Sequence, residues 1–297
     1  MKFRTLLTFS ATLCLAANAF SAEAKKLVII AGKPSHPAGM HEFHAGALLL
    51  QKCLSGVKGL EVSVHPNHWV SDESVLDTAD AVVVYADGGN GHPILEKPGR
   101  KEKIAKLIER GGGLMLMHYA VQCADEGHDH GKSGDEFREW IGGAYEANYS
   151  CNPIWEADYK KFPDHPIARG LKPFKIEDEW YFSIRFRKDN EGVQSILVAT
   201  PSDETRNGPY VHPKGPYPHI QERKGEAETM MWCVERPDGG RGVGFTGGHF
   251  HRNWGNDEFR KVVLNAMLWA SKVDVPKDGV QSKITDEELK ANLDKKG

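Results

Sequence analysis

Fourteen histidines stand in the 297 residues, and several fall where an apolar run ends. "LVIIAG" leads into "KPSHPAGMHEFH", which carries His36, His41 and His44. "AVVVYADGGNGHP" carries Asp87 and His92, "GGGLMLMHYA" ends in His118 and Tyr119, and "GVGFTGGHFH" carries His249 and His251. Neutral imidazoles gathered at one point suit a divalent metal of the zinc or manganese type, and a carboxylate completes such a site. The run "KIEDEWYF" offers Asp178 and Glu179 beside Trp180 and Tyr181. Two acids among aromatics read either as a general base beside a wall for a sugar ring, or as a charged turn. On the first reading, the neighbouring rings raise the pKa of Glu179 toward a range useful for proton transfer.

The candidate metal ligands are therefore His36, His41, His118 and His249. Glu179, His118 and His249 are the candidate catalytic groups, and Tyr119, Trp180, Tyr181 and Trp254 the candidate substrate contacts. His118 and His249 carry most weight, because a polar side chain after an apolar strand is costly unless it has a partner. His44 reads as structural, whereas His92 and His251 stand between structure and site. His65, His68, His128, His130, His165, His212 and His219 read as solvent-facing or locally bonded. No HExxH, P-loop or dinucleotide fingerprint is present.

These residues need a scaffold that delivers several strand ends to one place. "KKLVIIAG", "DAVVVYADGG" and "GLMLMHY" are short, continuously apolar runs stopped by glycine or polar residues, the pattern of strands buried on both faces. Residues 40–54 and 101–110 carry helical spacing between them, and "LEVSVH" alternates like a strand. Strand and helix in alternation predict a parallel sheet covered on both sides, whose ligand crevice lies outside the C-terminal strand ends. Residues 125–218 are less regular, with a short helix at "DEFREWIGG" and a strand at "SILVAT". "ETMMWCVE" and "GRGVGF" read as further strands, and 257–270 as the clearest helix, capped by Asn256 or Asp257. After Lys272 the chain turns charged, with a last helix at "TDEELKANL" that begins in capping-box register.

Composition bounds the rest. A chain 40% hydrophobic and 27% charged, with net charge -3, has no electrostatic reason to seek nucleic acid. Residues 1–22 show basic residues, an apolar run and then small residues, the pattern of a secretory signal peptide. The expected plan is a signal peptide over 1–22, one domain over 26–272 and a charged tail over 273–297, in a periplasmic or secreted protein. No later run is long enough for a transmembrane segment. Cys53, Cys123, Cys151 and Cys233 lack CxxC spacing, and read as buried small residues or as including one disulfide.

"GKPSHPAGMHEF", "GGGLMLMHYA", "DHPIARGLKPFKIEDEWYF" and "GGRGVGFTGGHFHRNW", in that order, resemble the ThuA-like (trehalose-utilisation) family. The resemblance implies an α/β fold of the flavodoxin-like, class I glutamine amidotransferase-like kind, with a parallel sheet flanked by helices. In amidotransferases the strand-to-helix elbow carries a nucleophilic cysteine. Here the matching turn holds His118, so thiol chemistry is excluded at that position. A family histidine after "WIGG" is absent, since this chain continues "GGAYEANYS". The resemblance implies carbohydrate catabolism, with oxidised (keto) glycosides as a theme. The expectation is a metal-assisted isomerase, lyase or hydrolase acting on a small carbohydrate, with homo-oligomerisation left open. The alternatives are a non-catalytic sugar-binding or scaffolding protein and a metal-dependent hydrolase of another substrate.

Overall fold

The computed structural model describes residues 23–125 and 132–296. The expected signal peptide, His128 and His130 lie outside the described residues. The N-terminal half alternates as expected: β1 (Lys25–Ala31), α1 (Phe43–Leu54), β2 (Leu60–His65), α2 (Ser74–Thr78), β3 (Ala81–Tyr85), α3 (Arg100–Glu109) and β4 (Gly113–Met117). The middle holds α4 (Lys132–Ile141), the short strand β5 (Gly143–Ala144), the pair β6 (Ile154–Tyr159) and β7 (Phe174–Glu179), and β8 (Arg185–Phe186). There follow β9 (Val193–Ala199), α5 (Asp203–Asn207), α6 (Pro218–Gln221), β10 (Glu228–Glu235), β11 (Arg241–Phe245), α7 (Asp257–Ala270) and α8 (Asp286–Lys290).

Seven strands form one sheet in the order β2-β1-β3-β4-β11-β10-β9. From β2 to β11 all pairings are parallel, whereas β10 runs antiparallel to both neighbours. The sheet is therefore mixed rather than wholly parallel. The physical reason is the short "RPDGG" connection from β10 to β11, since a few residues can close a hairpin but cannot make a parallel crossover. The fold is flavodoxin-like, and the strand order reverses between β1 and β3, the place where such sheets open a crevice.

The apolar strands are buried on both faces. Leu27, Ile29 and Ala31 of β1 pack with α1 and α7, while Val28 and Ile30 join the core under α3 and α4. Asn256 caps α7 by accepting from the backbone N–H of Glu258 and of Phe259, both at 3.0 Å. Thr285 and Glu288 form the expected capping box of α8. The charged tail is not separate from the body. Val275 and Val280 are buried in the core, and the ammonium of Lys296 pairs at 3.2 Å with Glu42, which also accepts from the Asp294 backbone at 2.7 Å. Cys53, Cys123, Cys151 and Cys233 are free thiols, all but Cys53 buried.

His92 belongs to the core. Its Nε2 donates to the Ala120 carbonyl at 2.9 Å, and its Nδ1 accepts from the Ile94 N–H at 3.1 Å. Burial pushes its pKa down to about 3. Between that value and the unfolded value of about 6.5, the unfolded chain holds a proton that the native imidazole refuses, so stability falls as pH falls through this window. In His92→Gln this component is gone. Its unfolding free energy, measured by denaturant titration between pH 6 and 4, should fall less steeply than wild type by about 1.4 kcal/mol per pH unit. Parallel slopes would contradict the assignment.

Candidate metal centre

Four parallel strands end side by side, and the residues just past them meet. His41 follows β1, Asp87 follows β3, His118 follows β4 and His249 follows β11. His36, His41 and His118 all adopt positive φ, at 63°, 48° and 55°. Such values are uncommon for residues with a Cβ and concentrate where the surroundings impose them. At His118 the chain leaves the strand, turns through the left-handed region and enters a short 3-10 turn over His118–Val121. This is the elbow geometry expected for that position.

The loops are locked to one another. The backbone N–H of His41 donates to the His249 carbonyl at 3.0 Å, and that of His251 to the Gly39 carbonyl at 2.9 Å, so the segments after β1 and β11 form a short bridge. Gly88 lets the segment after β3 approach the segment after β4, because a Cβ there would sit 2.0 Å from the Tyr119 carbonyl oxygen. Asp178 fixes the β11 loop from the β7 side. Its buried carboxylate accepts from the backbone N–H of Gly248 at 2.8 Å and of His249 at 3.0 Å, and from the Asn253 amide at 3.0 Å. Tyr85 donates to the Gly248 carbonyl from beneath.

His41, His118, His249 and Glu179 converge, all buried. His41 Nε2 lies 3.0 Å from both His118 Nε2 and His249 Nδ1, and the last two are 3.3 Å apart. Glu179 Oε2 lies 2.9 Å from His249 Nδ1 and 3.5 Å from His118 Nε2. Four ligands around a zinc ion at about 2.0–2.1 Å stand roughly 3.3 Å from one another when tetrahedral, so these spacings match such a set.

The partners of the far ring atoms set the tautomers. His41 Nδ1 donates to Asp87 Oδ1 at 2.7 Å, and His118 Nδ1 donates to the Thr246 carbonyl at 3.0 Å. Both Nε2 atoms are then unprotonated. Two lone pairs face each other at 3.0 Å, a repulsive contact that a cation between them relieves. Burial, reinforced by neighbouring imidazoles, pushes the pKa of His41 and of His118 far below the ordinary value, so both are neutral, the form that binds metal. Burial also raises the pKa of Asp178 and of Glu179.

The other expected site residues fall in three places. Tyr181 is at the centre, its hydroxyl 3.4 Å from both His118 Nε2 and Glu179 Oε2. Tyr119 is half-buried at the rim, its ring 6.3 Å from that of His41. His36 is exposed and stacked on His41 at 3.6 Å, grouped with His41 and Asp87 but outside the set of four. The fourth side chain of the converging set is Glu179 instead. Trp180 and Trp254 require correction. Both are fully buried, packed edge-on against Phe259 within the core, and neither offers a face to a sugar. The Trp180 indole N–H donates to the Ile176 carbonyl at 3.1 Å.

The chain matches the family model described as trehalose utilisation over residues 28–270. It belongs to the ThuA family. No curated protein is detectably similar to it in sequence. A putative ThuA-like protein from Bacteroides uniformis has a similar structure, with TM-score 0.61 and 16% identity over 88% of this chain and 96% of that one. Another, from Parabacteroides merdae, has TM-score 0.58 and 15% identity over 90% and 99% of the two chains. This ThuA-family member thus has the expected fold, and its family points to a carbohydrate-related role.

Asp87, Asn152 and Asp178 support this centre from outside the set of four. Asp87 carried a signal, an acid directly after an apolar strand, whereas Asn152 carried none: its amide donates to Glu179 Oε1 at 2.9 Å. Such supports change metal affinity about 10–100-fold when altered. Competition against a chromophoric zinc chelator should therefore show Asp87→Asn binding zinc more weakly by that factor. His41→Ala should lose the metal, and His36→Ala should retain it. Loss of zinc in the His36 variant would overturn the ligand set.

Proposed function

We propose that this ThuA-family protein is an exported, metal-assisted enzyme acting on small glycosides or keto-sugars. The proposed chemistry is polarisation of a sugar carbonyl or hydroxyl, the activating step for isomerisation or glycosidic cleavage. The observation that carries the proposal is the facing pair of unprotonated imidazole nitrogens at 3.0 Å, closed off by His249 and Glu179. A binding module that only recognised sugar would gain nothing from that repulsive contact. A zinc- or manganese-type ion held by these four side chains would supply Lewis acidity toward a sugar oxygen taken up as a further ligand.

The chain's own groups then have distinct tasks. Asp87 and the Thr246 carbonyl hold two imidazoles in the ligating tautomer, and Asn152 holds the outer oxygen of Glu179. Tyr181 keeps its proton, because burial and the neighbouring Glu179 push its pKa well up, and its hydroxyl is a donor toward the inner carboxylate oxygen. Burial of the cluster lowers the local dielectric and so strengthens the electrostatic contacts inside it.

Glu179 stood in the sequence as a general base, but its inner oxygen lies among the ligand atoms. Glu179→Gln should therefore reduce both bound metal and turnover, the latter by at least about 10²-fold. Turnover lost with metal retained would restore the role of general base. Unchanged turnover would remove Glu179 from the mechanism. Rate and metal content are read on the same purified variant, with a panel of glycosides and their 3-keto forms as substrates.

Export rests on the pattern over residues 1–22. N-terminal sequencing of protein from the periplasm or medium should find a start between Ala19 and Lys25. An intact Met1 on soluble cytoplasmic protein would contradict it.

A further inference from the structure

Beside the metal centre lies an open cleft of about 490 Å³, lined by the 88–91 loop and by the segments at Asn148 and His212. Tyr119 and Gln122, one and four residues beyond His118, also line it. Among the described residues, the Tyr119 hydroxyl, the Gln122 and Asn148 amides and the His212 ring make no hydrogen bond within the protein. Among the described lining residues Asp125 is the one carboxylate, engaged by the Asn90 amide at 3.2 Å, and none is a lysine or arginine.

The wall is coupled to the centre. The backbone N–H of His212 donates to Asn152 Oδ1 at 3.0 Å, and the amide of the same Asn152 donates to Glu179 Oε1 at 2.9 Å. The Tyr145 hydroxyl also donates to the His212 carbonyl at 3.3 Å, while its ring lies 5.1 Å from that of Tyr181. One asparagine thus connects the outer wall of the cleft to a candidate metal ligand.

We propose that this cleft is the subsite that holds an uncharged, polyhydroxylated ring, such as the glycosyl unit of the substrate, against the metal centre. The proposal rests on the carbohydrate reading above and adds where the ring binds and what charge it carries. Amide, phenol and imidazole ends offer both donors and acceptors, which matches a ring of hydroxyl groups. A phosphorylated or carboxylated group seated in the cleft meets no lysine or arginine among the described lining residues, so its desolvation there is not offset by a side-chain ion pair.

Calorimetric titration of the metal-loaded full chain with trehalose and methyl α-glucoside, against glucose 6-phosphate and glucuronate, tests this. The expected result is binding of a neutral glycoside, weakened at least about tenfold in the double variant Tyr119→Phe, Gln122→Met, a loss of about 1.4 kcal/mol. Metal content of the variant should be unchanged. Equal affinity in wild type and variant would overturn the location while leaving the metal-assisted reading intact. Preference for the anionic sugars, or no binding of either neutral probe by metal-loaded protein, would overturn the assigned substrate charge and class. Loss of metal in wild-type protein would instead count against the centre itself.

Discussion

Two imidazole nitrogens with their lone pairs turned toward each other are the constraint on which the rest of this structure depends. Left alone in a buried place, His41 and His118 would rotate apart or take up a proton. They do neither, because each ring is held from behind by an acceptor that demands its other proton, Asp87 for one and the Thr246 carbonyl for the other. Burial makes protonation unfavourable at both. The same pattern recurs one layer out, where Asp178 spends its lone pairs on backbone N–H groups of the His249 loop and so fixes the third ring.

The sheet makes this arrangement cheap to build. Parallel strands bring their C-terminal ends to one edge, so residues far apart in the chain arrive together without any one loop being long. The exception is Glu179, which comes from the end of β7, in the two-stranded unit with β6 outside the main sheet. That unit packs over the face covered by α1 and α7, and Trp180, directly after Glu179, is its anchor into the core among Tyr159, Phe245 and Phe259. The aromatic neighbours that drew attention to the acid thus fix the hairpin that carries it.

Most of the scaffold was legible because its strands are apolar on both faces and its stops are glycines. "LVIIAG" and "GLMLMHY" admit few other readings, and a polar side chain at their ends has few ways to be satisfied. The two tryptophans were misread for a related reason. A tryptophan near an acid is compatible with a binding wall or a core, and only three-dimensional packing separates them; here every face of Trp180 and Trp254 is covered. His36 was grouped with its neighbours by spacing, but positive φ at both His36 and His41 turns one ring outward over the other. Asn152 and Asp178 act through hydrogen bonds to groups distant in sequence, a relation that no local pattern encodes. The antiparallel β10 was decided by the length of one turn, visible in "RPDGG" once the strands on either side are known to be neighbours.

The wide separation of the four converging groups also fixes an order of events in making the molecule. His41 and His249 are 208 residues apart, and Glu42, the next residue after His41, is gripped by Lys296 and the backbone of Asp294. A chain still being synthesised, or one kept unfolded for transport, presents these side chains as isolated, weak donors with no chelate among them. Only when β11 has docked beside β4 are the four ligand-type side chains together. An ion held by this group would therefore be drawn from the compartment in which folding finishes, and the availability of metals there, as much as the ligand chemistry, would select it.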